Sequence, residues 1–363
     1  MSAVRLALRF TVAISCAFTL NSARASSFVY VSNANSNEII GFSLNEDTGA
    51  LTRIQTEGLG GKVMPLAISP NQLRLYAVVR TEPYRVASLA INPIDGHLTN
   101  LGSAPLAQSM AYISTDQTGR FLLSASYGGN VVSLNPIDSN GVVGAPSDVE
   151  KTGPMAHAIR PSPDNRYVFA SVLGADQWLR FQLDADAGKL IPDPAPAFQF
   201  PKHSGPRHFV FSKDARHVYL IDETDGKLHM LAFDSKADAV RLVQSVSTLP
   251  PESEGQKVEG ADLHLTDDGR FLYTSDRASS TISAFRVDAA TGRLSRVGTY
   301  PTVKNPRGFN VAGKFVIVAG LESPDLQVFA IDRKSGSLIA LEKYPVGKGA
   351  NWVETVKFDG SNH

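Results

Sequence analysis

Seven short apolar runs punctuate this chain, at residues 28–31, 75–79, 121–123, 167–169, 218–221, 271–273 and 315–318. Each is rich in Val, Ile, Leu, Phe and Tyr, lies between turn residues and has the length of a strand of about 4–6 residues. Polar turns precede five of them: Ser69-Pro70-Asn71, Ser114-Thr115-Asp116, Ser162-Pro163-Asp164, Ser212-Lys213-Asp214 and Thr266-Asp267-Asp268. A second turn is centred on Gly49, Gly96, Gly141, Gly188, Gly292 and Gly336, with Leu two residues on in all but one. Glycine suits these hairpins because it adopts positive φ without steric penalty. The repeat spans roughly 45–54 residues, and no sustained helical period follows the N-terminus.

These elements predict an all-β fold, a seven-bladed β-propeller forming one domain over residues 26–363. The first repeat lacks an opening strand, because it begins directly on Phe28-Val29-Tyr30. The last has one to spare, from Trp352 to Phe358. The C-terminal strand is therefore expected to become the innermost strand of the first blade, closing the ring and removing an open sheet edge.

Charge and the N-terminus change the picture in two ways. Lys+Arg and Asp+Glu are balanced at 35 each, with no basic stripe, so nucleic acid is not an expected partner. Residues 1–25 read as a cleavable signal peptide: Arg5 and Arg9, an apolar stretch over 10–20, then Ala23-Arg24-Ala25 as the cleavage site. The stretch is short for a membrane span. The expected product is a periplasmic monomer with no membrane association after cleavage. Cys16, the sole cysteine, would leave with the signal. A thiol nucleophile, a disulfide and a zinc-thiolate site are then excluded. No metal motif, phosphate loop or Gly-x-Ser-x-Gly elbow occurs, so neither metal nor cofactor is expected.

In a propeller the starts of the innermost strands and the turns after the second strands surround one mouth of the central channel. Met64, Tyr112, His157, Arg207, His208, His264 and Arg307 come from the former. Asn33, Arg80, Tyr127, Glu223, Arg277 and Glu322 come from the latter. Buried charges are costly unless paired or solvated, so this polar set marks a ligand site. Each residue also fits a structural role. His157 can line the channel on a backbone carbonyl, Arg207 and His208 can pair with carboxylates, and Glu223 can be a solvated turn residue. Arg277 can pair with Asp276, Asp262 with His264 as a strand lock, and Arg307 fits either role. Trp178 and Trp352 read as packing residues at blade edges.

Four segments in order carry a family resemblance: Gly205-Pro206-Arg207-His208, Ala261-Asp262-Leu263-His264, Asp276-Arg277-Ala278-Ser279 and Pro306-Arg307-Gly308-Phe309-Asn310. The chain resembles the seven-bladed propeller lactonases, the 6-phosphogluconolactonases of this fold and the related carboxymuconate-lactonizing cycloisomerases. The resemblance implies a metal-free hydrolase acting on a small-molecule lactone, with His157, Arg207, Glu223 and Arg277 as catalytic residues. His208, His264, Arg307, Arg80 and Tyr127 are expected to bind substrate. Two other readings stay open, a non-catalytic binding propeller and a muconate-type cycloisomerase. The chain departs from the family at Tyr112, where a histidine is common, and in the short turn Gly128-Gly129-Asn130.

Overall fold

The computed structural model describes residues 26–234, 239–253 and 255–359. The expected signal peptide lies outside the described residues. Seven sheets make a closed ring, each with its strands in radial order. The innermost strands are Val63–Ile68, Tyr112–Thr115, Ala156–Pro161, Pro206–Phe211, Gly260–Leu265, Pro306–Ala312 and Ala350–Phe358. The last of these pairs antiparallel with Ser26–Asn33, setting Val31 against Val353 and Phe28 against Val356. The ring is thus closed by the C-terminal strand, and Asn351 adds bonds to the carbonyls of Ser32 and Val63.

The repeated residues hold neighbouring blades together. Tyr30, Tyr76, Tyr219 and Tyr273 sit on second strands. Each donates its hydroxyl to the glycine carbonyl of the next blade's hairpin, at Gly96, Gly141, Gly292 and Gly336 (2.8, 3.2, 2.8 and 2.9 Å). Those hairpin glycines have φ between 71° and 81°. A Cβ on Gly96 would stand 2.3 Å from the ring of Phe28, and one on Gly336 2.2 Å from that of Phe271. The motif therefore records a backbone conformation and a close approach together.

The Ser-Pro-Asp turns are held by their own side chains. The Ser162 hydroxyl donates to Asp164 at 2.5 Å and accepts from the Tyr167 backbone at 3.0 Å. Such side-chain bonds offer the backbone a turn in place of the ladder. Trp178 does pack, but inside its blade, stacked on Phe169 with ring centroids 4.2 Å apart. Trp352 departs from expectation more: it sits on an innermost strand, in the channel.

Candidate active site

Bulges aim the polar residues. In three innermost strands that carry expected site residues the pairing register skips one residue, between Ala156 and Ala158, between Pro206 and His208, and between Pro306 and Gly308. The skipped residues are His157, Arg207 and Arg307. A bulge leaves its extra residue out of the ladder and re-aims its side chain, here toward one mouth of the channel. The turn after each second strand reaches the same mouth and brings Arg80, Tyr127, Glu223 and Arg277.

Glu223 sits between two arginines. One carboxylate oxygen accepts from Arg207 Nε at 2.7 Å, and the other lies 3.1 Å from Arg277 Nη2. Arg207 is 1% exposed, and Nη1 also donates to the Ala261 carbonyl. Burial lowers the Arg207 guanidinium to about 10, against the pull of Glu223. Burial opposes ionisation of Glu223, yet Arg207 and Arg277 win and hold its carboxyl below the usual range.

Around this pair positive charge is in excess. Arg307 is buried and held well below the ordinary arginine value by burial, then by Arg207, Arg277 and Arg80. Arg80 donates to Ser109 Oγ at 2.8 Å and meets Met64 Sδ at 3.2 Å. Burial, then Arg207, His208, Arg307 and Arg277, push the His157 imidazole well below 6.5, so it is neutral. Tyr127 and His208 flank it, with ring centroids at 6.0 and 5.1 Å. His157 Nδ1, Arg277 Nε, Arg307 Nη1 and His208 Nε2 are buried with no protein partner. Buried polar atoms of folded proteins are nearly always satisfied, so these are the groups that the mouth leaves for water or a ligand to meet.

Eight of the nine expected site residues therefore meet at one mouth, His208 at its floor: His157, Arg207, Glu223, Arg277, His208, Arg307, Arg80 and Tyr127. His264 does not. It is two residues further along its strand than Asp262, and its side chain lines a chamber at the opposite mouth. The expected Asp262–His264 bond exists, at 3.2 Å, but the other Asp262 oxygen takes His208 Nδ1 at 2.8 Å. Glu322 turns outward onto Lys304. Asp276 serves Ser279 and the Glu259 backbone, while Arg277 turns to Glu223.

Sequence reasoning missed the middle of the channel. The rings of Tyr112, His208 and Trp352 meet there with centroids 5.0–5.7 Å apart, and the Arg307 guanidinium lies 5.8 Å from the Trp352 ring. These rings form a septum between the two mouths. Among the described residues no cluster of three His, Cys, Asp or Glu has the arrangement of a metal site.

Nearly all of the described chain has known counterparts. The family described as "Lactonase, 7-bladed beta-propeller" matches residues 25–355. A 6-phosphogluconolactonase of Serratia proteamaculans is 39% identical over 327 residues, covering 90% of this chain and 97% of its own. The Yersinia pestis 6-phosphogluconolactonase is 38% identical over the same length. The periplasmic gluconolactonase of Pseudomonas aeruginosa superimposes with a TM-score of 0.83 at 29% identity, covering 92% of this chain and 99% of that one.

Proposed function

The chain belongs to the seven-bladed β-propeller lactonases, and from that premise we propose that it hydrolyses a sugar lactone to the open acid at the His157–Arg207–Glu223–Arg277 mouth. The observation that carries this reading is the charge balance: four guanidiniums gather around one carboxylate and a neutral imidazole. Such a site carries an excess of positive charge, and the oxyanion formed in lactone opening is the negative charge it is built to hold.

The reaction adds water to the carbonyl carbon. The attacking oxygen gives up a proton, the carbonyl oxygen becomes an oxyanion, and the ring C–O bond then breaks with a proton delivered to the leaving oxygen. Arg277 and Arg307 face the oxyanion with buried, unpartnered N–H groups. One fixed donor of this kind is commonly worth about 3 kcal/mol. His157 takes the proton from water. It is neutral, with Nδ1 free, whereas both Glu223 oxygens are held by arginines. General-base help is worth roughly 10²–10⁴-fold. Glu223 then acts as a positioning residue that fixes Arg207 and Arg277. The base returns its proton to the ring oxygen, so atoms and charge balance.

The apolar stretch over residues 10–20 with Ala23-Arg24-Ala25 supports export to the periplasm. A gluconolactonase of P. aeruginosa that is itself named periplasmic is consistent with that reading.

The test is pH-stat hydrolysis of glucono-δ-lactone and its 6-phosphate. Both should open well above the spontaneous rate, and His157→Gln should lose roughly 10²-fold or more. A preference for the phosphate ester would place one guanidinium on the phosphate, and equal rates would leave them on the oxyanion. Hydrolysis no faster than buffer alone, for both lactones, would overturn the proposal.

A further inference from the structure

Beyond the septum the channel opens into a second chamber of about 510 Å³. It faces the opposite side of the disk, because Pro70, Asp116, Pro163 and Ser212 of the turns that follow the innermost strands form its rim. Its wall includes the fifth residue of six innermost strands, among them Arg160, His264, Asn310 and Glu354. The volume lies within the usual range for small-molecule pockets.

The charges here do not cancel by contact. Arg160 is half-buried and makes no ion pair among the described residues. It donates to the Phe209 carbonyl at 3.5 Å and lies near the Tyr112 hydroxyl. The two nearby carboxylates are engaged elsewhere. Asp262 accepts from His208 and His264. Glu354 accepts from Trp352 Nε1 at 2.9 Å and Asn310 Nδ2 at 3.3 Å. Burial pushes Glu354 up to about 7, against Trp352, His264 and Arg160, so near neutrality much of it keeps its proton. Lys213 adds a second cation at the rim, with Nζ on the Asp267 carbonyl at 2.7 Å. The chamber thus offers one half-buried guanidinium free to take an anion. Around it stand neutral hydrogen-bonding groups, Ser114, Asn310 and Gln117, and the Trp352 ring lies at its inner end.

We propose that this chamber is a second small-molecule site, separate from the lactone mouth, which binds a hydroxycarboxylate such as a sugar acid with its carboxylate on Arg160. A planar guanidinium suits a carboxylate bidentately. Ser114, Asn310 and the Glu354 carboxyl suit a chain of hydroxyls, and carbohydrate faces pack on tryptophan. The rings of Tyr112, His208 and Trp352 stand between the two mouths, and Arg160 lies on the far side of them from Arg277, so occupancy here is read separately from hydrolysis at the other mouth.

The experiment is calorimetric titration of the full chain with sodium gluconate, repeated with glucitol, which has the same hydroxyl chain but no carboxylate. Gluconate should bind and glucitol should bind at least tenfold more weakly. Arg160→Met should weaken gluconate at least tenfold, and Arg160→Lys should recover part of the loss. Lys213→Ala, an exposed position that leaves folding intact, should weaken it about threefold. Arg277→Met, at the lactone mouth, should leave the Arg160-dependent binding in place. Unchanged affinity in both Arg160→Met and Lys213→Ala, equal affinity for glucitol, or complete loss in Arg277→Met would each overturn the proposal. Since binding is read directly, lack of lactonase activity would not affect the result.

Discussion

Asp262 Oδ1 stands 2.8 Å from His208 Nδ1, while its Oδ2 stands 3.2 Å from His264 Nε2. One buried carboxylate thus ties an imidazole of the lactone mouth to an imidazole of the opposite chamber, across the septum. Burial opposes its ionisation, yet His264 and His208 hold it well below the ordinary aspartate value. Burial and Arg207 in turn drive His208 down to about 3 against the pull of Asp262. The bridge is therefore an aspartate anion between hydrogen-bond donors. Its removal strands two ring nitrogens and the Leu263 amide, which also donates to it at 3.0 Å.

Asp262→Ala should destabilise the fold by about 3 kcal/mol, since each buried polar group left without a partner costs roughly 1–3 kcal/mol. Asp262→Asn, which keeps one acceptor oxygen, should lose less. Urea unfolding monitored by tryptophan fluorescence reads both. A midpoint for the alanine variant equal to that of wild type would refute the bridge.

Glu223 and Arg277 should separate stability from activity. Arg277 is one of several like charges, and Glu223 keeps Arg207 when Arg277 is gone. Arg277→Met should therefore melt at or above the wild-type temperature while losing roughly 10²-fold in lactone hydrolysis. Glu223→Gln should do the opposite to stability. It leaves Arg207, 1% exposed, without its countercharge, and breaking a buried pair from one side costs about 3–5 kcal/mol. Thermal melts of the two variants that shift together would refute this division of roles.

The blade pattern was legible in the sequence because it follows from side chains that repeat: the Ser-Pro-Asp turns, the Gly-x-Leu hairpins and the tyrosines that bond to them. Ring closure was legible from one missing and one surplus strand. The mouth was legible for residues on turns and at strand starts, whose side of the disk follows from strand direction alone. His264 and Trp352 were misplaced for a physical reason. The bulges turn residues two, three and five of an innermost strand toward the channel at different depths, whereas simple alternation would assign faces by parity. A bulge has no signature in Met155-Ala156-His157-Ala158, so neither the septum nor the second chamber could be read before the register was known. Arg160, Glu354 and the bridging role of Asp262 were lost with it.

The pH dependence of catalysis should carry the mark of His157. A base whose folded value lies well below 6.5 stays unprotonated through the ordinary imidazole range. Lactone hydrolysis should then show no acid limb near pH 6.5, and activity should decline only at lower pH. Initial rates by pH-stat between pH 4 and 8, corrected for spontaneous opening, test this. A limb at the ordinary imidazole value would show that His157 titrates as a solvated residue.

Glu354 should impose the reverse trend on stability. Its folded value, about 7, lies above the ordinary 4.5. Between these values the folded chain holds a proton that the unfolded chain releases, so stability falls as pH rises through that window and is level outside it. Gln replaces the protonated carboxyl with a neutral group that still accepts from Trp352. The melting temperature of Glu354→Gln relative to wild type should therefore climb from pH 4.5 to pH 7. A constant difference across that range would show that Glu354 ionises freely.

The hairpin glycines give a test of the interblade contacts. Gly96 has φ +74°, and an added Cβ would stand 2.3 Å from the Phe28 ring, a rigid neighbour that cannot swing aside. Gly96→Ala combines left-handed backbone strain of about 1–2 kcal/mol with overpacking of about 1–3 kcal/mol. It also displaces the carbonyl that accepts from Tyr30. A loss of about 3 kcal/mol or more is expected, enough to lower the melting temperature by several degrees. Gly58 provides the control. Its backbone is outside the left-handed region and a Cβ there meets nothing within 4 Å, so Gly58→Ala should melt like wild type. Equal melting of the two alanine variants would mean that the Phe28–Gly96 contact between the first and second blades contributes nothing to holding the ring together.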